Sequence, residues 1–275
     1  MSQPTPRFAL NHMICPRLSV SELIEGAAQL GLKAVELRND VGGNSIQTLD
    51  QAKEAGRLAR ERGIEILSIN ALYPFNIWND ERAEQAGNLA QLVDACGGHG
   101  LVLCPLVDAD HGASEHEKRA GLKDALAALD RILGRYDLQG FVEPLGFPIS
   151  SLRTKQEAVD AIRELGMTHR FSLVHDTFHH AGAGEQALFP ESTGLVHISG
   201  VEDESINFDT MLDEHRLLVG PRDRLDSVGQ VQQLLAAGYD QYISFEPFAP
   251  AVCNLDDPFT AIQGSMDEIR RKLTA

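Results

Sequence analysis

The chain has 275 residues, 43% hydrophobic and 23% charged, an ordinary balance for a folded globular protein and a length that suits one α/β barrel or two small domains. Its 24 Lys and Arg against 40 Asp and Glu leave a formal charge of −16. That argues against nucleic acid, whose phosphates need a basic face, gives no electrostatic reason to sit on an anionic membrane, and favours a neutral small-molecule substrate over a strongly anionic one.

The four cysteines, Cys15, Cys96, Cys104 and Cys253, form no C-x-x-C pair and no metal-finger spacing. They read as free thiols of a reducing compartment. The first residues lack the charged-then-apolar pattern of a secretory signal, and no window approaches the ~20 apolar residues of a spanning helix. The expectation is a cytoplasmic protein, with residues 1–6 a flexible N-terminal extension.

In chain order, short apolar runs alternate with helix-period segments. Phe8–Met13 predicts the first strand, and a helix starts near Ser19 or Ser21 and stops at Gly31. Ala34–Arg38 predicts the second strand, followed by a helix over Leu49–Arg62 closed by Gly63. Glu65–Asn70 is the third strand. A long loop through Phe75 and Trp78 leads to a helix over Glu81–Cys96. Leu101–Leu106 and Gly140–Glu143 are the fourth and fifth strands, with helices over Glu115–Arg135 and Lys155–Leu165. Arg170–Asp176 and Gly194–Ser199 are the sixth and seventh. A helix over Ser227–Ala237 precedes the eighth, Gln241–Glu246, and a last helix covers Pro258–Leu273.

Eight such units predict a parallel sheet closed into a (β/α)8 TIM barrel, a single domain over 1–275. No Gly-rich phosphate fingerprint comes after the first strand, which argues against a dinucleotide fold.

Phe141-Val142-Glu143-Pro144-Leu145 and Ser244-Phe245-Glu246-Pro247-Phe248 share an apolar–Glu–Pro–apolar ending. Proline lacks an amide hydrogen and holds its predecessor extended, so it fits where a strand leaves the sheet. Both glutamates are therefore placed at the C-terminal lip, where barrel enzymes carry their chemistry. Asp176 and His197 end two further apolar runs, and strand alternation is consistent with all four pointing inward.

Three carboxylates gathered at one point repel unless a cation sits between them. Oxygen and imidazole donors without thiolate suit one divalent metal, Mn, Zn, Mg or Co; no organic cofactor is indicated. His179, just past Asp176, is a candidate substrate-facing imidazole or a plain loop histidine. By alternation His175 faces outward, between sheet and helices, and His180 is expected in solvent. Asn11, His12, Glu36 and Arg38 are candidates for the opposite wall. Arg153 either binds a substrate hydroxyl or steadies its loop. Trp78 and Phe75 either cover a sugar face or pack inside, and Arg222-Asp223-Arg224 reads as a solvated turn.

On Glu36-Leu37-Arg38-Asn39-Asp40, Val142-Glu143-Pro144-Leu145-Gly146-Phe147, Val174-His175-Asp176-Thr177-Phe178-His179-His180, Val196-His197-Ile198-Ser199-Gly200 and Phe245-Glu246-Pro247-Phe248, the chain resembles the xylose-isomerase-like barrels, and within them the inosose isomerases of inositol catabolism. The resemblance implies that Glu143, Asp176, His197 and Glu246 bind one divalent metal. It also implies that the two glutamates carry protons and that His179 contacts a cyclic keto-polyol. Oligomeric state is left open, with a homo-oligomer among the outcomes. Related ketose 3-epimerases carry an arginine a few residues after the strand-seven histidine, where this chain reads Gly200-Val201-Glu202-Asp203-Glu204; this points away from an epimerase. An inosose dehydratase and a hydroxypyruvate-type isomerase are the nearby alternatives.

Overall fold

Residues 5–274 are described by a computed structural model; of the expected N-terminal extension, 1–4 lie outside them. Eight parallel strands, β1 (Arg7–Asn11), β2 (Ala34–Arg38), β3 (Glu65–Leu72), β4 (Gly100–Leu103), β5 (Gln139–Val142), β6 (Phe171–Asp176), β7 (Thr193–Ile198) and β8 (Tyr242–Phe245), close in sequence order into a barrel. The chain is a single (β/α)8 TIM barrel. Helices α1 (Val20–Gln29), α2 (Leu49–Arg62), α3 (Asp80–Cys96), α4 (Glu115–Leu133), α5 (Lys155–Glu164), α6 (Thr177–Ala183) and α7 (Ser227–Ala236) lie in the crossovers, and α8 (Pro250–Cys253) and α9 (Pro258–Leu273) follow β8.

The helix starts are written locally. Ser19, Thr48, Ser114 and Thr154 each accept from the backbone three residues on. Glu22, Gln51, Glu117 and Glu157 reach back to the cap, satisfying amides that the first helical turn leaves unpaired. Gly63 ends α2 at φ 65°, a left-handed conformation that a side chain would strain.

Strand alternation produces two cores. The larger fills the space between sheet and helices. The smaller is a plug inside the barrel to which each strand gives one residue: Ala9, Ala34, Leu67, Val102, Phe141, Val174, Leu195 and Tyr242. Stepping two residues along β1, β2, β5, β6 and β7 from that plug gives Asn11, Glu36, Glu143, Asp176 and His197 on the same inner face. An apolar floor thus carries a polar layer at the C-terminal lip.

β3 breaks its register against β2 between Val35 and Leu37. Such an irregularity re-aims side chains, and both Ser68 and Asn70 reach Glu36 inside the barrel.

Candidate active site

Glu143 and Glu246 stand one residue past the ends of β5 and β8, Asp176 ends β6, and His197 is the penultimate residue of β7. All four are buried, and one ligand atom from each lies within 4.8 Å of the others. The imidazole is at the centre. His197 Nδ1 is 3.1 Å from Glu143 Oε1 and 3.1 Å from Glu246 Oε2, and Nε2 is 3.1 Å from Glu36 Oε1 on the opposite side. Burial opposes a charged ring here, but Glu246, Glu36 and Glu143 outweigh it and raise the His197 pKa well above its ordinary value.

Two arginines face the same carboxylates. Arg38 Nη1 donates to Glu246 Oε1 (2.8 Å) while its Nε and Nη2 grip the rim residue Asp40 (2.7 and 2.8 Å). Arg216 Nη2 donates to Asp176 Oδ2 (2.6 Å) and Glu246 Oε2 (2.9 Å), Nε to Ser199 Oγ (3.2 Å) and Nη1 to rim Asp213 (3.1 Å). Both guanidinium groups lie over the Phe248 ring, at 5.3 and 4.6 Å. Burial works to raise the Glu246 carboxyl, yet His197, Arg216 and Arg38 together hold it far below the usual range.

The donor set fits a divalent cation. Four buried carboxylates, Glu36, Glu143, Asp176 and Glu246, face two buried guanidinium groups. Among these buried groups alone, without rim Asp40 and Asp213, a divalent ion with a neutral His197 supplies the missing two charges. A protonated His197 supplies only one.

This balance sets a pH dependence. Below the raised His197 pKa, metal binding must release a proton from Nδ1, so Mn²⁺ affinity is expected to rise about tenfold per pH unit. The sign for stability is opposite. In metal-free protein the raised pKa contributes stability fully present below the ordinary histidine value and lost as pH climbs through the raised one. Calorimetric titrations and melting curves across pH check both; a pH-independent affinity would contradict the charged ring.

Asp176 also organises the next segment of chain. Its Oδ1 accepts from the His179 backbone N–H (2.9 Å) and caps α6, so residues expected in a loop form a short helix. A Cβ on Gly146 would collide with the His179 carbonyl, which explains a glycine after Pro144-Leu145. His179 is buried against the edges of Phe147 and Phe178 (5.0 and 5.1 Å) and lines the mouth cavity. Its Nδ1 has no partner among the described residues. Burial and nearby Arg216 lower its pKa to about 4, leaving a neutral ring able to donate or accept.

Above the quartet opens a cavity of about 530 Å³, walled by Arg38, Tyr73, Phe147, His179, Arg216 and Phe248 among others, within the size range of small-molecule sites.

Three candidates lie elsewhere. His12 is fully buried beside β1, its Nε2 bonded to the Leu18 carbonyl (2.8 Å). Arg153 donates to the carbonyls of Gly146 (3.0 Å) and Gly182 (2.8 Å), steadying its loop and α6. Trp78 packs on the outer core and borders a separate hollow with His111 and Lys118, while Phe75 is wholly buried. Neither forms a lid, because the loop after β3 folds inward on Phe75.

His175 does face outward, between Lys155 Nζ (2.8 Å) and Gln230 Oε1 (2.9 Å). His180 is corrected from solvated to half-buried, since its Nδ1 accepts from the same ammonium (2.9 Å). Of the expected solvated turn, Arg222 is exposed and pairs with Glu202 (2.8 Å), but Asp223 and Arg224 are half-buried: Asp223 accepts from the Val201 and Ser227 N–H groups (3.0 and 2.9 Å) and Arg224 donates to the Ile206 carbonyl (2.8 Å).

Arg216 is a site residue that the strand pattern does not reveal. It sits at the far end of the excursion after β7, and an antiparallel bridge between Gly200 and Leu217, each N–H donating to the other's carbonyl at 2.8 Å, folds it back over the site. A guanidinium thus reaches the site from further along the chain than Gly200-Val201-Glu202-Asp203-Glu204. The apolar run Leu217-Leu218-Val219 behind it is the one available signal.

The sequence family described as xylose isomerase-like TIM barrel matches residues 24–272. The chain belongs to this family. Among solved structures, a xylose isomerase domain containing protein from Salmonella typhimurium LT2 is 33% identical over 100% of both chains, with a TM-score of 0.86. The IolI protein with a bound zinc atom is 20% identical over 97% of this chain and 99% of its own, TM-score 0.81. D-psicose 3-epimerase from Clostridium cellulolyticum H10, with D-tagatose, is 14% identical over 97% and 99%, TM-score 0.76. The last two share the fold. A comparison with curated proteins finds no match. Among the described residues no helix is long and apolar enough to cross a membrane.

Proposed function

We propose that this family member is a divalent-metal-dependent isomerase of a cyclic keto-polyol, of the type that converts 2-keto-myo-inositol to 1-keto-D-chiro-inositol in inositol catabolism. The observation that supports it most is that two glutamate oxygens flank one imidazole nitrogen at 3.1 Å each. Proton carriers for neighbouring carbons are thereby set beside one cation position. The IolI likeness points to the same class of substrate, and a neutral one suits a site whose carboxylates outnumber its guanidinium groups.

A cation held by Glu143, Asp176, His197 and Glu246 would polarise the substrate carbonyl and its neighbouring hydroxyl. The rest falls to the chain's own groups. One glutamate takes the proton from the hydroxyl-bearing carbon, leaving a cis-enediolate, and a proton returns to the former carbonyl carbon.

The two glutamates are unequally bound. Glu246 accepts from Asn11, Arg38 and Arg216 as well as facing His197. Among the described residues, Glu143 Oε2 meets only the Cys104 thiol, at 3.4 Å. Glu143 is therefore the freer proton carrier, and Glu246 the pinned one. His179, a neutral ring on the cavity wall, relays the hydroxyl proton between oxygens in this reading, and Phe147 and Phe248 shield the ring face.

A second reading, epimerisation of a free keto-sugar, is favoured by Arg216 and by the D-psicose 3-epimerase likeness. One experiment separates the classes: Mn²⁺-loaded protein with inosose in D₂O, monitored by proton NMR and mass spectrometry. Isomerisation puts deuterium on the ring and leaves the product otherwise at substrate mass. Loss of water would make the enzyme a dehydratase, and turnover of D-psicose with none of inosose would favour the epimerase.

A further inference from the structure

Glu36, a fifth group below the quartet, is a carboxylate fully buried on β2. Its neighbours are hydrogen donors. Ser68 Oγ donates to Oε2 (2.6 Å), Asn70 Nδ2 to Oε2 (3.0 Å) and Asn11 Nδ2 to Oε1 (3.3 Å). Asn70 Nδ2 also donates to Ser68 Oγ (2.8 Å), which leaves the serine hydrogen free for Glu36. A carboxyl group surrounded by donors is an ionised acceptor. A further neighbour, His197 Nε2, lies 3.1 Å from Oε1 and 3.2 Å from Oε2, so it too must carry hydrogen.

A neutral imidazole has one N–H and one lone pair. With hydrogen held at Nε2, the lone pair falls at Nδ1, the nitrogen beside Glu143 and Glu246. Without Glu36, those two carboxylates would draw the hydrogen to Nδ1 and turn the lone pair away. We infer that Glu36 is a positioning residue that fixes the His197 tautomer, presenting the Nδ1 lone pair to the metal position formed with Glu143, Asp176 and Glu246. The β3 irregularity that brings Ser68 and Asn70 to Glu36 is part of the same device. This inference rests on the metal reading of the quartet.

The test uses whole protein, stripped of metal, and Glu36→Gln, which keeps shape and removes charge. Mn²⁺ binding is measured by calorimetry, and the His197 tautomer in Zn²⁺-loaded wild type by ¹⁵N-resolved NMR. The expected results are an affinity loss of about 10–100-fold in the variant, typical of partners behind a metal ligand, and a hydrogen on His197 Nε2 in wild type. A purely structural role for Glu36 would lower the melting temperature and leave affinity intact. That outcome, or a hydrogen on Nδ1, overturns the inference while the metal reading stands. Wild type that binds no divalent metal overturns both. If Glu36→Gln fails to fold, Glu36→Asp, which keeps the charge and shortens its reach toward Nε2, is measured by the same calorimetry: weaker Mn²⁺ binding supports the inference and unchanged binding overturns it.

Discussion

Glu143→Gln should lower turnover by at least ~10²-fold, the range of a general acid or base, with substrate affinity largely kept. The amide is isosteric and can still offer one oxygen toward the quartet, so the loss should fall on proton transfer. Deuterium exchange into substrate should fall in step with turnover. Glu246→Gln should lose at least ~10²-fold as well, by a different route. Its carboxylate accepts from two arginines and an asparagine, and the amide turns an N–H toward one of these buried donors, so that a hydrogen bond is lost and a buried polar group is left unpaired. Lower melting temperature and weaker metal binding should accompany its lost activity. Near wild-type exchange in both variants would remove the glutamates as proton carriers.

Much of the barrel is legible in the sequence because its signals are local. The bounds read for β2, α2 and α9 coincide with those observed, each being a short apolar run or a long amphipathic stretch with a clear stop. The quartet is legible for a related reason. Glu-Pro endings mark strand exits, and parity places Asp176 with Val174 and His197 with Leu195.

The features that the sequence conceals depend on distance or on broken parity. α6 has seven residues, too few for a hydrophobic period to show, and its start is set by a side chain already assigned to another task. Ser68 reaches the inside through a register shift that no strict alternation foresees. Arg216 depends on a bridge that closes a long loop. Trp78 faces away from the mouth because aromatic content alone does not decide which way a loop folds.

Arg216→Met tests how the buried charges are balanced. In metal-free protein this side chain is the guanidinium that touches both Asp176 and Glu246. Methionine fills similar space and leaves those carboxylates facing each other with His197 as their nearest cation. Removing one member of a buried ion cluster costs about 3–5 kcal/mol, so the metal-free variant should melt roughly 10 °C below wild type, given ~2–4 °C per kcal/mol for a large domain. Arg38→Met should cost less, because Arg38 contacts only Glu246 of the quartet and its other partner, Asp40, is half-exposed. Divalent metal should reverse the order of response. An ion at about 100 times its dissociation constant adds about 2.7 kcal/mol, and the Arg216 variant, with more uncompensated negative charge, should bind it more tightly and gain more in melting temperature than wild type. Its activity should stay low even when loaded, through a raised KM, since Arg216 also lines the cavity. If the metal-free variant melted with wild type, or gained no more from Mn²⁺, the guanidinium would not be standing in for the cation's charge.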